Sequence, residues 1–453
     1  HAERGTPGDP MLATAARRRL TAGGRRAKLR SDYGAAVGLL ERAAALLPPS
    51  EIDLALETDL GDSLFETGKG REALRRADSL AAQAAAAGNR VGELCGRLRE
   101  AVIRTSLEPE GATEQLSALL EQALPVFQAA GDDIALYTAY HALGWVAFTR
   151  AQTDAALEAY ERASAHARKA GRPDELLGWR AICRLYGTTP MSGLLAWLDE
   201  NETREGRDYW LRATRALTLA LLGRFDEARA ILAETRTELA ELGGELQLAV
   251  LTGIESANVE LLAGDPTTAA ELGADGCRLL DELGDLGFLS SAAATLAQAL
   301  YALDRLEEAD VWAGRAAELG ANDDAFTQMS CQQVRAKVLA RRGEHAEAER
   351  LAREADAIGE ATHWLDGQGD TYADLAEVLA LGGKPDGAAA ALEQALDRYE
   401  RKGNIVSASR MRQRLADLEN ATTRRAARAS SGRPSPFSSA TSPARRRSAR
   451  RWT

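Results

Sequence analysis

Leucine and alanine recur along this chain at the i, i+4, i+7 spacing of one helix face, and charged residues fill the faces between. The pattern breaks at a turn, resumes, and breaks again. The plainest copies read LLGRFDEARAIL (Leu221 to Leu232), LLAGDPTTAAEL (Leu261 to Leu272), LARRGEHAEAERL (Leu339 to Leu351) and LALGGKPDGAAAAL (Leu379 to Leu392). Their turn residues are Gly223, Gly264, Gly343 and Gly383, with Asp304 in the slot between, so the steps are 41, 40, 39 and 40 residues. Extended along the chain, the slots fall at Ser31, Gly68, Leu107, Ala151, Gly187, Gly223, Gly264, Asp304, Gly343 and Gly383. A fixed period of roughly 39 residues predicts an all-α solenoid of about ten antiparallel helix pairs, each burying its apolar face against its neighbours.

Five residues past each slot stands a small residue: Ala36, Ala73, Ala112, Ala156, Ala228, Ala269, Ala309, Ala348 and Ala388, with Ser192 the exception. A second glycine series (Gly88, Gly131, Gly171, Gly206, Gly243, Gly284, Gly320, Gly359 and Gly403) marks the end of each second helix. Glycine takes the left-handed conformation there without steric cost. The Asn or Asp that follows at positions 89, 132, 285 and 404 can cap the next helix. The GTTPMSG stretch departs from the alanine rule, so Leu176 to Glu205 is expected to be kinked or loosely packed.

In the unit from Tyr140 to Ala163 the pattern Tyr140–x2–Leu143-Gly144 … Ala156–x3–Tyr160–x2–Ala163 resembles the tetratricopeptide repeat, and the resemblance extends over residues 12–420. It implies a right-handed superhelix whose first helices line a concave groove for a protein or peptide segment. Counting back from each slot places Asp62, Arg97, Arg104, His141, Trp145, Phe148, Asn258, Gln298, Tyr301, Gln333, Lys337 and Glu377 on that face. Trp145 with His141 and Phe148 is the sharpest cluster, since exposed aromatics anchor bound segments; the alternative is that the two rings pack between helices. Second helices ending in AAGD or ELGD, and the closing ALDRYERKGN, look like helical arrays of large bacterial signalling proteins, and the alanine-, arginine- and leucine-heavy composition suggests a high-GC bacterium of actinobacterial type. In those the array follows an ATPase module, sometimes with a nucleotide cyclase, or precedes a DNA-binding domain. The resemblance implies a sensor or partner arm, with any catalysis in upstream domains.

Composition adds three points. Net charge is −11, yet nine arginines and no acid follow Ala421, so the first 420 residues carry −20. An acidic body is a poor nucleic-acid binder. Residues 421–453, rich in Arg, Ser and Pro, are expected to be a disordered tail with at most a weak nucleic-acid contact, and residues 1–11 a disordered lead-in. Four scattered cysteines (Cys95, Cys183, Cys277, Cys331) form no pair spacing, no run has the length of a membrane span, and a cytoplasmic location is expected. The opening at His1 rather than methionine reads as a fragment or a processed chain.

Chemistry is poorly represented. Gly61, Gly68, Lys69 and Gly70 have the wrong spacing for a phosphate loop and lack its hydroxyl. Gly383-Lys384-Pro385 fails in the same way. The five histidines include no i, i+4 pair and none lies near a cysteine. No G-x-S-x-G elbow is present. The two glycosylation-type triplets, at Asn201 and Asn420, are idle in the cytosol. The reading is a non-catalytic binding scaffold needing no cofactor or metal.

Overall fold

The computed structural model describes residues 10–48, 51–172, 176–201 and 208–430. Within them the chain is helical, and the helices pair in sequence. The first pairs are Pro10–Lys28 (α1) with Tyr33–Ala44 (α2), Leu54–Glu66 (α3) with Gly70–Ala86 (α4), and Arg90–Leu107 (α5) with Ala112–Ala130 (α6). Asp133–Thr149 (α7) pairs with Thr153–Lys169 (α8), Leu177–Tyr186 (α9) with Met191–Asn201 (α10), and Tyr209–Leu221 (α11) with Phe225–Leu242 (α12). The next first helix, α13, runs from Glu245–Val250 through a π-helical turn at Leu251–Ser256 into Ala257–Ala263, and packs on Pro266–Leu283 (α14). Then come Leu286–Ala302 (α15) with Leu306–Leu319 (α16), Ala325–Arg341 (α17) with His345–Glu360 (α18), and Leu365–Leu381 (α19) with Pro385–Lys402 (α20). Ile405–Ser430 (α21) closes the array. The chain is an all-α superhelical solenoid of ten helix pairs.

The turn ladder has a conformational cause. Gly68, Gly223, Gly264, Gly343 and Gly383 all have positive φ, and so do the non-glycine slots Ser31 (56°), Ala151 (51°) and Asp304 (61°). At Gly223 the N–H of Arg224 reaches back to the carbonyl of Leu219, which satisfies an orphan acceptor of the helix end. The alanines five residues on are buried at 0–1% exposure at Ala36, Ala73, Ala156, Ala228, Ala269, Ala309, Ala348 and Ala388, where the two helices of a pair approach closely.

Four positions differ from the sequence expectation. Leu107 ends α5, and the left-handed residue of that turn is Gly111 (φ 66°), because the connection is longer. Gly187 is extended rather than left-handed (φ −95°, ψ −159°). Gly320 is likewise extended at the end of α16 (φ −78°, ψ 155°). Gly359 lies inside α18, where a Cβ would stand 3.3 Å from Met329 and Thr371; it is small for packing, not for capping. The six glycines at 88, 131, 171, 243, 284 and 403 do take positive φ, and Asn89, Asp132, Asp285 and Asn404 each accept an N–H from the following helix. Gly206 lies outside the described residues.

The GTTPMSG unit is short rather than loose. Its helices have 10 and 11 residues, and Met191, Leu194 and Leu198 are fully buried. The irregularity falls instead at the π turn of α13, where Gly253 and Gly276 bring the backbones of α13 and α14 into contact. At the ends, α1 starts at Pro10 and α21 runs through Ser430, so the expected boundaries at 12 and 420 both fall within helices; residues 1–9 and 431–453 lie outside the described chain. No helix among the described residues is long and apolar enough to cross a membrane.

Successive turns of the superhelix touch. Gln247 donates to the Glu66 carboxylate, Arg150 pairs with Asp323 at 2.9 Å, and the His363 N–H reaches the Ala151 carbonyl at 3.0 Å. The last clasp is Lys402, fully buried, whose Nζ donates to the carbonyls of Arg184, Gly187 and Thr189 at 2.9, 2.6 and 2.8 Å. Burial lowers its pKa to about 8, opposed by Asp366 and Asp154. These contacts join successive turns around the concave interior, which is a partly open lumen over this stretch.

Candidate functional site

The lumen widens into a cavity of about 740 Å³. Its wall comes mainly from first helices (α5, α7, α9, α11, α13, α15, α17 and α19), with α21 closing one end. This follows from the repeat geometry: small alanines pull each second helix onto the outside, leaving first-helix side chains to face inward.

Of the twelve sequence-predicted residues, Trp145, Phe148, Asn258, Gln298, Gln333 and Lys337 line this cavity. Tyr301 and Glu377 lie beside it: the Tyr301 hydroxyl donates to Glu377, and Lys337 Nζ sits 4.7 Å from the Tyr301 ring centre. The remaining four are elsewhere. Asp62 is held by Lys28 and Arg99 at 2.8 and 2.6 Å, Arg97 pairs with Glu93, and Arg104 bridges Glu100 and Glu108. His141 stacks on Tyr137 at 6.1 Å and packs near Tyr160.

Trp145 and Phe148 both pack and face the lumen. Trp145 Nε1 donates to Thr105 Oγ1 at 2.7 Å, and its ring meets Trp179 edge-on at 5.3 Å. From there rings continue in two lines. Trp179 contacts Trp210 at 5.2 Å, and Trp210 contacts Phe288 at 6.3 Å. Phe148 contacts Tyr186 and Phe326, and both of these contact Trp364. Trp179, Trp210, Phe288, Phe326 and Trp364 escaped the sequence reading because it counted back from the turn slots. Phe288 and Phe326 sit in the first turn of first helices and Trp364 caps the next, four to six residues past the second-ladder positions Gly284, Gly320 and Gly359. That ladder was the signal for them.

The polar part of the wall is incompletely satisfied. Trp210 Nε1, Thr214 Oγ1, Glu255 Oε2 and Gln333 Nε2 are buried with no hydrogen-bond partner among the described residues. Leaving one such group unmet costs about 1–3 kcal/mol, so each is poised for a donor or acceptor brought from outside. Burial pushes the Glu255 carboxyl up to about 8. Towards α21, burial and the neighbouring Asp366 and Asp374 raise Asp370 to about 7, against its hydrogen bond from Tyr399 and the charge of Lys337. Lys337 itself pairs with Asp374 at 3.0 Å. Asp324, also in the wall, is raised by burial to about 6. No group of three His, Cys, Asp or Glu side chains among the described residues has a metal-binding arrangement. The four cysteines are buried and unpaired, and burial pushes their thiols to about 12 or above.

Residues 369–402, spanning most of α19 and the whole of α20, match the Tetratricopeptide repeat family. The chain carries a tetratricopeptide repeat there. No curated protein matches the sequence. Among solved structures, a Rap protein complexed with competence and sporulation factor is 13% identical, with 83% of this chain and 99% of that chain covered at a TM-score of 0.48. Yeast Tom70 is 13% identical over 89% of this chain and 96% of its own, TM-score 0.33. The TPR-like repeats of a Podosopora anserina putative kinesin light chain are 18% identical over 41% of this chain and 92% of theirs, TM-score 0.30.

Proposed function

We propose that this chain is a non-catalytic scaffold whose lumen binds a protein or peptide segment. The observation that supports this most is the cavity itself: aromatic walls for apolar side chains, together with buried donors and acceptors that have no partner within the chain. An extended backbone has the chemistry to meet both, since its amides can pair with Gln333, Thr214 and Glu255 while its side chains occupy the spaces between rings. A wall held in place by stacked repeats loses little entropy on binding.

The test is selection of a displayed random-peptide library on the full chain, followed by titration against Gln298→Trp. Gln298 lines the cavity and is half-buried, so an indole there fills the lumen without displacing core residues. Selected peptides are expected to bind the native chain and to lose at least about tenfold in affinity for the variant. Failure to select any peptide, or equal binding to Gln298→Trp, would overturn the proposal.

A further inference from the structure

The cavity wall also carries information about charge. Glu255 is 5% exposed, its Oε2 has no hydrogen-bond partner, and no Lys, Arg or His among the described residues forms an ion pair with it. It stands on the π turn of α13, an irregularity that re-aims side chains and occurs often at functional sites. Glu255 and Tyr186 line the same cavity. Tyr186 in turn meets Phe148, Phe326 and Trp364 at ring distances of 6.4, 5.5 and 5.6 Å.

A buried carboxyl without a counter-charge stays protonated, and a cation brought beside it favours the ionised form. Aromatic faces attract a cation through their quadrupole, and most strongly where water is excluded. Carboxylate and rings in the wall of one cavity are thus complementary to the same kind of group. Elsewhere in the wall, carboxylates outnumber cations: Asp324, Asp366, Asp370 and Asp374 accompany Glu255, against Lys337, Arg410 and Arg414. Lys337 is already engaged by Asp374, and Arg410 and Arg414 donate to the carbonyls of Leu262 and Ala373. None of the three serves Glu255.

We infer that the lumen contains a subsite for one basic side chain, of lysine or arginine type, with Glu255 as its counter-ion and the surrounding aromatic rings as its walls. This rests on the peptide-binding reading above and adds the charge of the bound segment. The aliphatic stem of such a side chain lies along the rings while its head reaches the carboxylate.

Nα-acetyl-lysine methylamide and its norleucine counterpart differ only by the ammonium group, which makes them the probes. Each is titrated into the full chain, with tryptophan fluorescence and calorimetry as readouts. The lysine probe is expected to bind about tenfold more tightly than norleucine, and Glu255→Gln should remove that preference while the protein stays folded. Equal binding of the two probes, a preference that persists in Glu255→Gln, or no binding of either at millimolar concentration would overturn the subsite. Display-selected peptides that bind without any basic residue would also overturn it, while leaving the peptide-binding reading intact. A second variant replaces Arg445, Arg446, Arg447, Arg450 and Arg451 by Gln in the full chain. Unchanged lysine affinity there is expected; a marked gain would instead assign the subsite to the chain's own tail.

Discussion

Two clusters of buried charge on the first helices show opposite ways of handling carboxylates. Around α3, two acids are fully paired: Asp59 is met by Arg25 at 2.7 Å and by Arg172, and Asp62 by Lys28 and Arg99 at 2.8 and 2.6 Å, whereas Glu66 at the helix end accepts from Gln247 and is raised by burial to about 8. Burial there opposes ionisation, yet the two cations hold the Asp62 carboxyl well below the ordinary range. Around α13 and α19 the cavity acids are under-paired, and burial drives Glu255 and Asp370 the other way, to about 8 and 7. The same superhelix interior thus contains a neutralised knot that holds turns together and a chamber left electrostatically incomplete. Full pairing points to structure, and incomplete pairing to a ligand.

Breaking the knot should have the largest effect. Asp59→Ala strands Arg172, whose side chain is 1% exposed, and Arg25. We expect a loss of about 3–5 kcal/mol in denaturant unfolding; a loss below 1 kcal/mol would remove the distinction between the two clusters. Next is the clasp. Lys402→Met leaves three carbonyls without their donor and should lower stability by about 2–3 kcal/mol.

Overpacking tests the repeat register. Ala156, 0% exposed, should not tolerate phenylalanine without a cost of about 1–3 kcal/mol. Exposed Glu158, paired only with Arg162 one turn on, should change by less than about 0.5 kcal/mol as Glu158→Phe. Thermal melts that rank the two in reverse would refute the assigned helix faces.

The remaining effect is pH-dependent and specific to the chamber. A carboxyl whose folded pKa is raised contributes stability that is present below its ordinary value of 4.5 and is lost as pH rises through about 8. Glu255→Gln removes that loss. It should leave the melting temperature unchanged at pH 4 and raise stability at pH 9, by up to about 5 kcal/mol. Melts that move equally at both pH values would show that Glu255 is already compensated.

The period was legible because each turn demands one left-handed residue and each pair one small one. These are local demands, visible at Gly223, Gly264 and Ala228 without any knowledge of neighbours. Where long-range contact supplies the stabilisation, the rule loosens. Ala151 holds a positive φ while its carbonyl receives the His363 N–H from the next turn, and nothing at position 151 announces that contact. The contacts between successive turns escaped for the same reason, since Lys402 and Gln247 find partners 213 and 181 residues away. Six of the twelve predicted residues line the cavity because their register follows from the slots. Asp62 shares that register, but it is consumed by arginine and lysine from other helices, which a one-dimensional count does not see. Glu255 was hidden by the π turn, which shifts the phase of a helix at a point where the sequence LTGIES gives no warning.

Hydrogen–deuterium exchange of the full chain, with and without a display-selected peptide, tests the central contrast most directly. The account predicts added protection in α11, α13 and α15, which carry Trp210, Glu255 and Phe288, and none in α3, where Asp59 and Asp62 are already paired. Protection confined to α3 and α5, or spread over the outer second helices with α13 unchanged, would contradict it.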